Sequence, residues 1–141
     1  MLLFIFDIIV KMETLKEFIN RHQSNKEKSS SFVDYLYELM KKYGFKDGPD
    51  LYNRANISKQ LWSSFTSGKS HPSLNVCIKL ALAMRVTNHE CKYLFKKAGY
   101  TLSSANKYAL IIRYAIENKI YDVYEVNKLL EQNGYADSLI F

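Results

Sequence analysis

From Thr14 onward, apolar residues recur at spacings of three and four, and no stretch alternates in the manner of a half-buried strand. Thr14 and Glu17 form a capping-box pattern ahead of Leu15, Phe18 and Ile19, which predicts a short helix ending near His22. Residues 23–30, with no apolar position, read as a polar linker. Ser31 then caps a helix carrying Phe32, Leu36, Leu39, Met40 and Tyr43 on one face, stopped by Gly44. A short helix over 49–55 has Pro49 and Asp50 in its first turn, where a missing N–H and a negative charge both suit the helix start. Asn56 marks a sharp turn, Ser58 caps the next helix, and Gly68 ends it. A helix beginning near Ser73 presents Leu74, Cys77, Ile78, Ala81 and Met84. Another, capped by Asn88, presents Cys91, Leu94, Phe95 and Ala98 before Gly99. Two more are expected: Ser103 or Ser104 to Asn118, with Tyr108, Ile111, Ile112, Ala115 and Ile116 inside, and Asp122 to Asn133, with Val123, Val126, Leu129 and Leu130 inside. The expected class is all-α, and 141 residues suffice for one core.

Composition adds little to this picture, whereas the placement of charge adds a good deal. Residues 1–51 carry eight Lys/Arg and eight Asp/Glu, residues 52–100 carry eight and one, and residues 101–141 carry four and five. The excess behind the net charge of +6 therefore lies in the middle third, as a footprint on nucleic acid requires; a solvated basic face is the alternative. Residues 1–11 are apolar apart from Asp7 and the terminal Lys11. They are too few to span a bilayer and lack the leading basic residue of a signal peptide. They read either as an over-extended start before Met12 or as a short element packed on the core or a second subunit. Two cysteines are too few for a disulfide framework, and with no secretory signal the expectation is a cytoplasmic protein without a membrane anchor.

The run 48–72, GPDLYNRANISKQLWSSFTSGKSHP, is where helices and charge meet. Its paired helices and tight turn read as a helix-turn-helix. In the helix 58–67, Leu61, Trp62 and Phe65 are apolar, while Lys59, Gln60, Ser63, Ser64 and Ser67 leave a polar face. Leu51, Ala55, Ile57-Ser58, Trp62, Phe65, Gly68-Lys69, Pro72-Ser73 and Leu80-Ala81-Leu82-Ala83 through Val86-Thr87 resemble the Cro and phage-repressor (XRE-type) family, over residues 31–87. The resemblance implies a lambda-repressor-like bundle over 31–100, after an N-terminal segment 1–30 and before a C-terminal helical extension 101–141. It also implies that helix 58–67 enters the major groove. By position, Lys59, Gln60, Ser63 and Ser64 would read bases, while Ser67, Lys69 and Ser70 would grip phosphate with Arg54 adding charge. Gln can bond adenine, Lys can donate to guanine, and hydroxyls and a cation near a Gly turn suit phosphate. Tyr52 stands where the family usually has Ala, so the helix pair is expected to splay or Tyr52 to turn outward.

Lys59 is the only charge on the reading helix, so affinity calls for a second copy, and a homodimer on double-stranded DNA is expected. Helices 101–141 would pack on the bundle, dimerise or bind a protein partner. His71, Cys77, His89 and Cys91 lack the paired spacing of a zinc site, and both cysteines fall on apolar stripes. No Gly-rich phosphate loop, nucleophile elbow or suggestive carboxylate pair is present, so no catalytic residue, metal or cofactor is expected. The expected function is sequence-specific DNA binding by a repressor or autoregulator. The alternative is the same fold used as a protein-interaction or regulatory subunit.

Overall fold

The computed structural model describes residues 13–28 and 31–141, and the chain divides into one unit ending at Ser31 and another spanning Phe32–Phe141. The expectations for residues 1–11 lie outside the described residues. Among those described, every regular element is helical: α1 (Leu15–Lys28), α2 (Phe32–Lys42), α3 (Gly48–Arg54), α4 (Lys59–Thr66), α5 (Leu74–Met84), α6 (Asn88–Lys97), α7 (Lys107–Glu117), α8 (Val123–Gln132) and a 3-10 turn, Ala136–Ser138. The all-α expectation holds. No described helix is long and apolar enough to cross a membrane.

In the first unit the Thr14–Glu17 box forms in both directions, Thr14 N donating to Glu17 Oε2 at 3.3 Å and Glu17 N to Thr14 Oγ1 at 3.1 Å. The helix does not stop near His22 but runs through Lys28, over most of the expected linker. Gln, Lys and Glu are good helix formers, so a stretch without apolar residues can still be helical. Leu15, Phe18 and Ile19 are exposed.

In the second unit α5 is the axis. Val76 through Leu82 and Met84 are buried and Ala83 is half-buried, so burial wraps around more of the helix than the single expected stripe. It packs on α3 and α6, α2 packs on α6, α3 on α4, and α7 on α6 and α8. Residues 101–141 contribute Leu102, Ala109, Ile112, Ala115, Ile116, Val126, Leu130 and Ile140 to this same core, so the extension packs on the bundle with no break at residue 100. The chain end is stapled down: Asn127 Nδ2 donates to Ile140 O at 2.8 Å and Ile140 N to Asn127 Oδ1 at 2.7 Å, the reciprocal pair of a strand bridge made by one side chain.

Helix ends follow one device. From α2 to α8 each helix closes on a residue of positive φ, in order Gly44, Asn56, Gly68, Arg85, Gly99, Lys119 and Gly134. The next N–H reaches back five residues, as from Ile57 to Tyr52 O at 2.8 Å. Starts differ from expectation in two places. Thr87, not Asn88, caps α6 in a complete capping box with Glu90, and Asn106, not Ser103 or Ser104, caps α7. In both cases the residue whose oxygen reaches the free N–H groups lies next to, or shortly after, an equally plausible polar residue.

Cys77 and Cys91 are free and fully buried, and desolvation pushes both thiols up to about 12. Neither is expected to react with a thiol-specific reagent in the native state at pH 8, and both should react in denaturant. Native labelling within minutes would contradict this burial.

Candidate nucleic-acid interface

The pair α3 and α4 is built by local capping and then braced from behind. Asp47 accepts from Asp50 N at 2.9 Å to start α3, a cap that Asp50 overshadows in the sequence. Asn56, at φ 55, makes the turn, and Ser58 Oγ accepts from Leu61 N at 3.1 Å to start α4. The carbonyl of the turn residue, Asn56 O, accepts from Lys79 Nζ of α5 at 2.9 Å. Lys79 is buried, and desolvation lowers its pKa. Its ammonium thus satisfies the carbonyl end of α3, a favourable place for a cation, and is withdrawn from the surface charge.

Trp62 and Phe65 anchor α4, their rings 5.4 Å apart, with Tyr52 and Tyr37 at 5.7 Å and 6.4 Å from the indole. Tyr52 therefore packs half-buried on Trp62 and does not turn outward. At about 100° per residue, Gln60 falls roughly 180° from the midline of that anchor. Lys59, Gln60 and Ser63 are exposed and make no side-chain hydrogen bond or ion pair with another described residue. Leu61 departs from the expected core role: it is 40% exposed, because it lies at the edge of the buried arc. Sequence pattern alone could not separate it from Trp62 and Phe65.

The residues assigned to phosphate gather in the turn after α4. Lys69 N and Ser70 N both donate to Ser64 O, at 2.9 Å and 3.2 Å, and Ser67 Oγ donates to the same carbonyl at 3.2 Å. Ser64 Oγ donates to Ser70 Oγ at 2.8 Å. Ser64 is thus the knot of this turn, and its hydroxyl proton is engaged within the chain. Ser67, Lys69 and Ser70 are exposed together. Arg54 stands apart from them: it pairs with Asp50 at 3.1 Å and lies over the Phe45 ring at 5.2 Å, so its charge is partly compensated. His71, which sequence reasoning considered only as a metal ligand, borders the same loop, with its ring 6.0 Å from that of Tyr100. Among the described residues no group of three or more His, Cys, Asp or Glu is placed to hold a metal ion. No protein-family model, curated protein or solved structure matches this chain.

Proposed function

We propose that the chain is a double-stranded DNA-binding regulator in which α3 and α4 form a lambda-repressor-like helix-turn-helix, with α4 lying in the major groove. The observation that carries this reading is the division of α4 into an anchored apolar arc, Trp62 and Phe65, and an outward arc whose exposed Lys59, Gln60 and Ser63 side chains make no hydrogen bond or ion pair with another described residue. Gln60 is central to that arc and reads adenine, Lys59 donates to guanine, and exposed Leu61 offers a methyl contact to thymine. Ser67, Lys69 and Ser70 hold phosphate beside it. Ser64 positions that turn instead of reading a base. Occupancy of an operator would make the protein a repressor or autoregulator.

Selection from random duplex DNA, followed by titration of the selected site at several salt concentrations, tests this. Log affinity should fall with log salt by roughly 0.9 per phosphate contact. Gln60→Ala should relax the preference at one base pair by about 1–3 kcal/mol, while Lys69→Ala should weaken all sequences alike and lower the slope by about one contact. Absent or salt-independent binding would remove the DNA reading. It would leave the alternative of a protein-interaction subunit, for which exposed Leu61 at the edge of the same face is the supporting observation.

A further inference from the structure

We propose that the outward face of α7 is a twofold interface between two copies of this chain. The helix buries Ala109, Ile112, Ala115 and Ile116 against the bundle. Its opposite face carries Lys107, Leu110, Tyr114 and Glu117, with Leu110 42% and Tyr114 54% exposed. Beside them runs a groove of about 370 Å³ lined by Lys107, Leu110, Ile111, Tyr114, Leu129 and Asn133. Two large apolar side chains one helical turn apart, next to a groove walled by Ile111 and Leu129, make a surface that gains by being covered.

The order of residues says what covers it. Leu110 and Tyr114 lie two residues either side of Ile112, and Lys107 and Glu117 lie five either side. A second α7 laid antiparallel, with the twofold axis at the height of Ile112, sets Leu110 on the second copy's Tyr114 and Lys107 on its Glu117, each contact made twice. A parallel copy would set Lys on Lys and Glu on Glu. Lys107 Nζ donates one hydrogen bond to Asn133 O at 3.2 Å, leaving two of its three protons for the carboxylate.

The same two charges are misplaced for the helix that bears them. Lys107 opens α7 and Glu117 closes it, each at the end where the macrodipole disfavours its sign, and no acidic residue in the first turn or basic residue in the last offsets them. Against an antiparallel neighbour each faces a helix end of the sign that suits it. Two copies of a basic protein also meet most easily away from their positive surface. Residues 101–141 carry four Lys/Arg against five Asp/Glu, and α7 packs on α6 and α8 while α4 packs on α3. A contact centred on one helix about 16 Å long is small, so the free dimer is weak and reversible. The inference deepens the DNA reading by supplying the second copy that a two-half-site operator needs, yet the interface belongs to the free chain and is tested without DNA.

The test is sedimentation equilibrium of the full chain over roughly 1–300 µM, the range in which a small interface associates. A monomer–dimer equilibrium is expected in the wild type. Leu110→Lys, at an exposed position, should leave the protein monomeric across the range. Lys107→Glu and Glu117→Lys should each weaken dimerisation at least tenfold, and the combined K107E/E117K chain should recover to within about threefold of wild type. Both reversals favour the α7 macrodipole, so lost association cannot be assigned to lost helix. Within one chain the two positions are about 15 Å apart and largely screened from each other, so rescue can only act across the twofold. A wild type monomeric throughout, a dimer indifferent to Leu110→Lys, or charge reversals that fail to rescue each other would overturn the proposal. Failure of DNA binding alone would leave it standing.

Discussion

Glu90→Ala is expected to cost about 3 kcal/mol, lowering the melting temperature by roughly 10 °C, because it removes a buried carboxylate that joins two helices. Glu90 is 6% exposed. Its Oε2 accepts from Lys42 Nζ at 2.7 Å, and its Oε1 accepts the Tyr43 hydroxyl and Thr87 N, the latter at 2.9 Å. One side chain thus completes the α6 cap and ties the end of α2 to it. Burial alone would push its pKa up, but the hydrogen bonds from Lys42, Thr87 and Tyr43 outweigh burial and hold it at about 2, below the ordinary 4.5. Since the folded value is the depressed one, the stabilisation is fully present above about pH 4.5 and is lost as pH falls toward 2. Thermal unfolding followed by circular dichroism from pH 7 to pH 2 should show the wild type losing its advantage over Glu90→Ala within that window. Glu90→Gln should lie between them at pH 7, keeping shape and some hydrogen bonds without the charge. An equal melting temperature for wild type and Glu90→Ala at pH 7, or parallel acid profiles, would refute this account.

That carboxylate also shows where sequence reasoning reaches its limit. Thr87 and Glu90 have capping-box spacing and could have been read as a cap, but Lys42 and Tyr43 lie more than forty residues away, and nothing local announces them. The same holds for Lys79. On a wheel it is one more basic residue, and only the packing of α5 behind the α3–α4 turn brings its ammonium to Asn56 O. Features set by neighbours in sequence were legible: the Thr14–Glu17 box, the cap at Ser58, the helix start near Ser73, the stops at Gly44, Gly68 and Gly99, and the sharp turn at Asn56. Arg85 and Lys119 close helices with the same positive φ and the same backbone closure, Val86 N to Ala81 O and Ile120 N to Ala115 O, but carry no residue-type signal for it, because their side chains disfavour that conformation. The candidate interface divides likewise. Gln60 and Lys59 follow from helical periodicity, whereas the internal hydrogen bond of Ser64, the ion pair of Arg54 and the exposure of Leu61 follow from how much of α4 the neighbouring helices cover.

Trp62→Ala is expected to cost about 4 kcal/mol, and Gly48→Ala about 2 kcal/mol, with the two costs strongly non-additive. Trp62 is 7% exposed and is the chain's only tryptophan. Its indole lies over the start of α3: a Cβ added at Gly48 would come within 2.8 Å of Trp62 Nε1 and 3.2 Å of Cε2, a contact a rigid ring cannot relieve by flexing. Gly48 has no positive φ, so its role is to make room for the indole and not to adopt an unusual backbone. The same contact explains how Tyr52 is accommodated at the α3–α4 junction, since its ring tilts at 48° onto an indole that has already sunk against Gly48. In a Trp62→Ala background the obstruction is gone, and Gly48→Ala should become neutral or stabilising, because Ala at the first helical position of α3 removes the entropy cost of glycine. Urea unfolding followed by far-ultraviolet circular dichroism gives the four stabilities of this cycle, and a coupling of about 2 kcal/mol or more is expected. In Gly48→Ala alone, tryptophan emission should shift to the red as the indole is pushed toward water. If the proposed DNA reading holds and the indole fixes the roll of α4, that variant should also weaken binding to the selected duplex without touching any residue of the outward face. Additive costs, or an unshifted emission, would mean that Gly48 does not hold the indole in place and that the roll of α4 is set elsewhere.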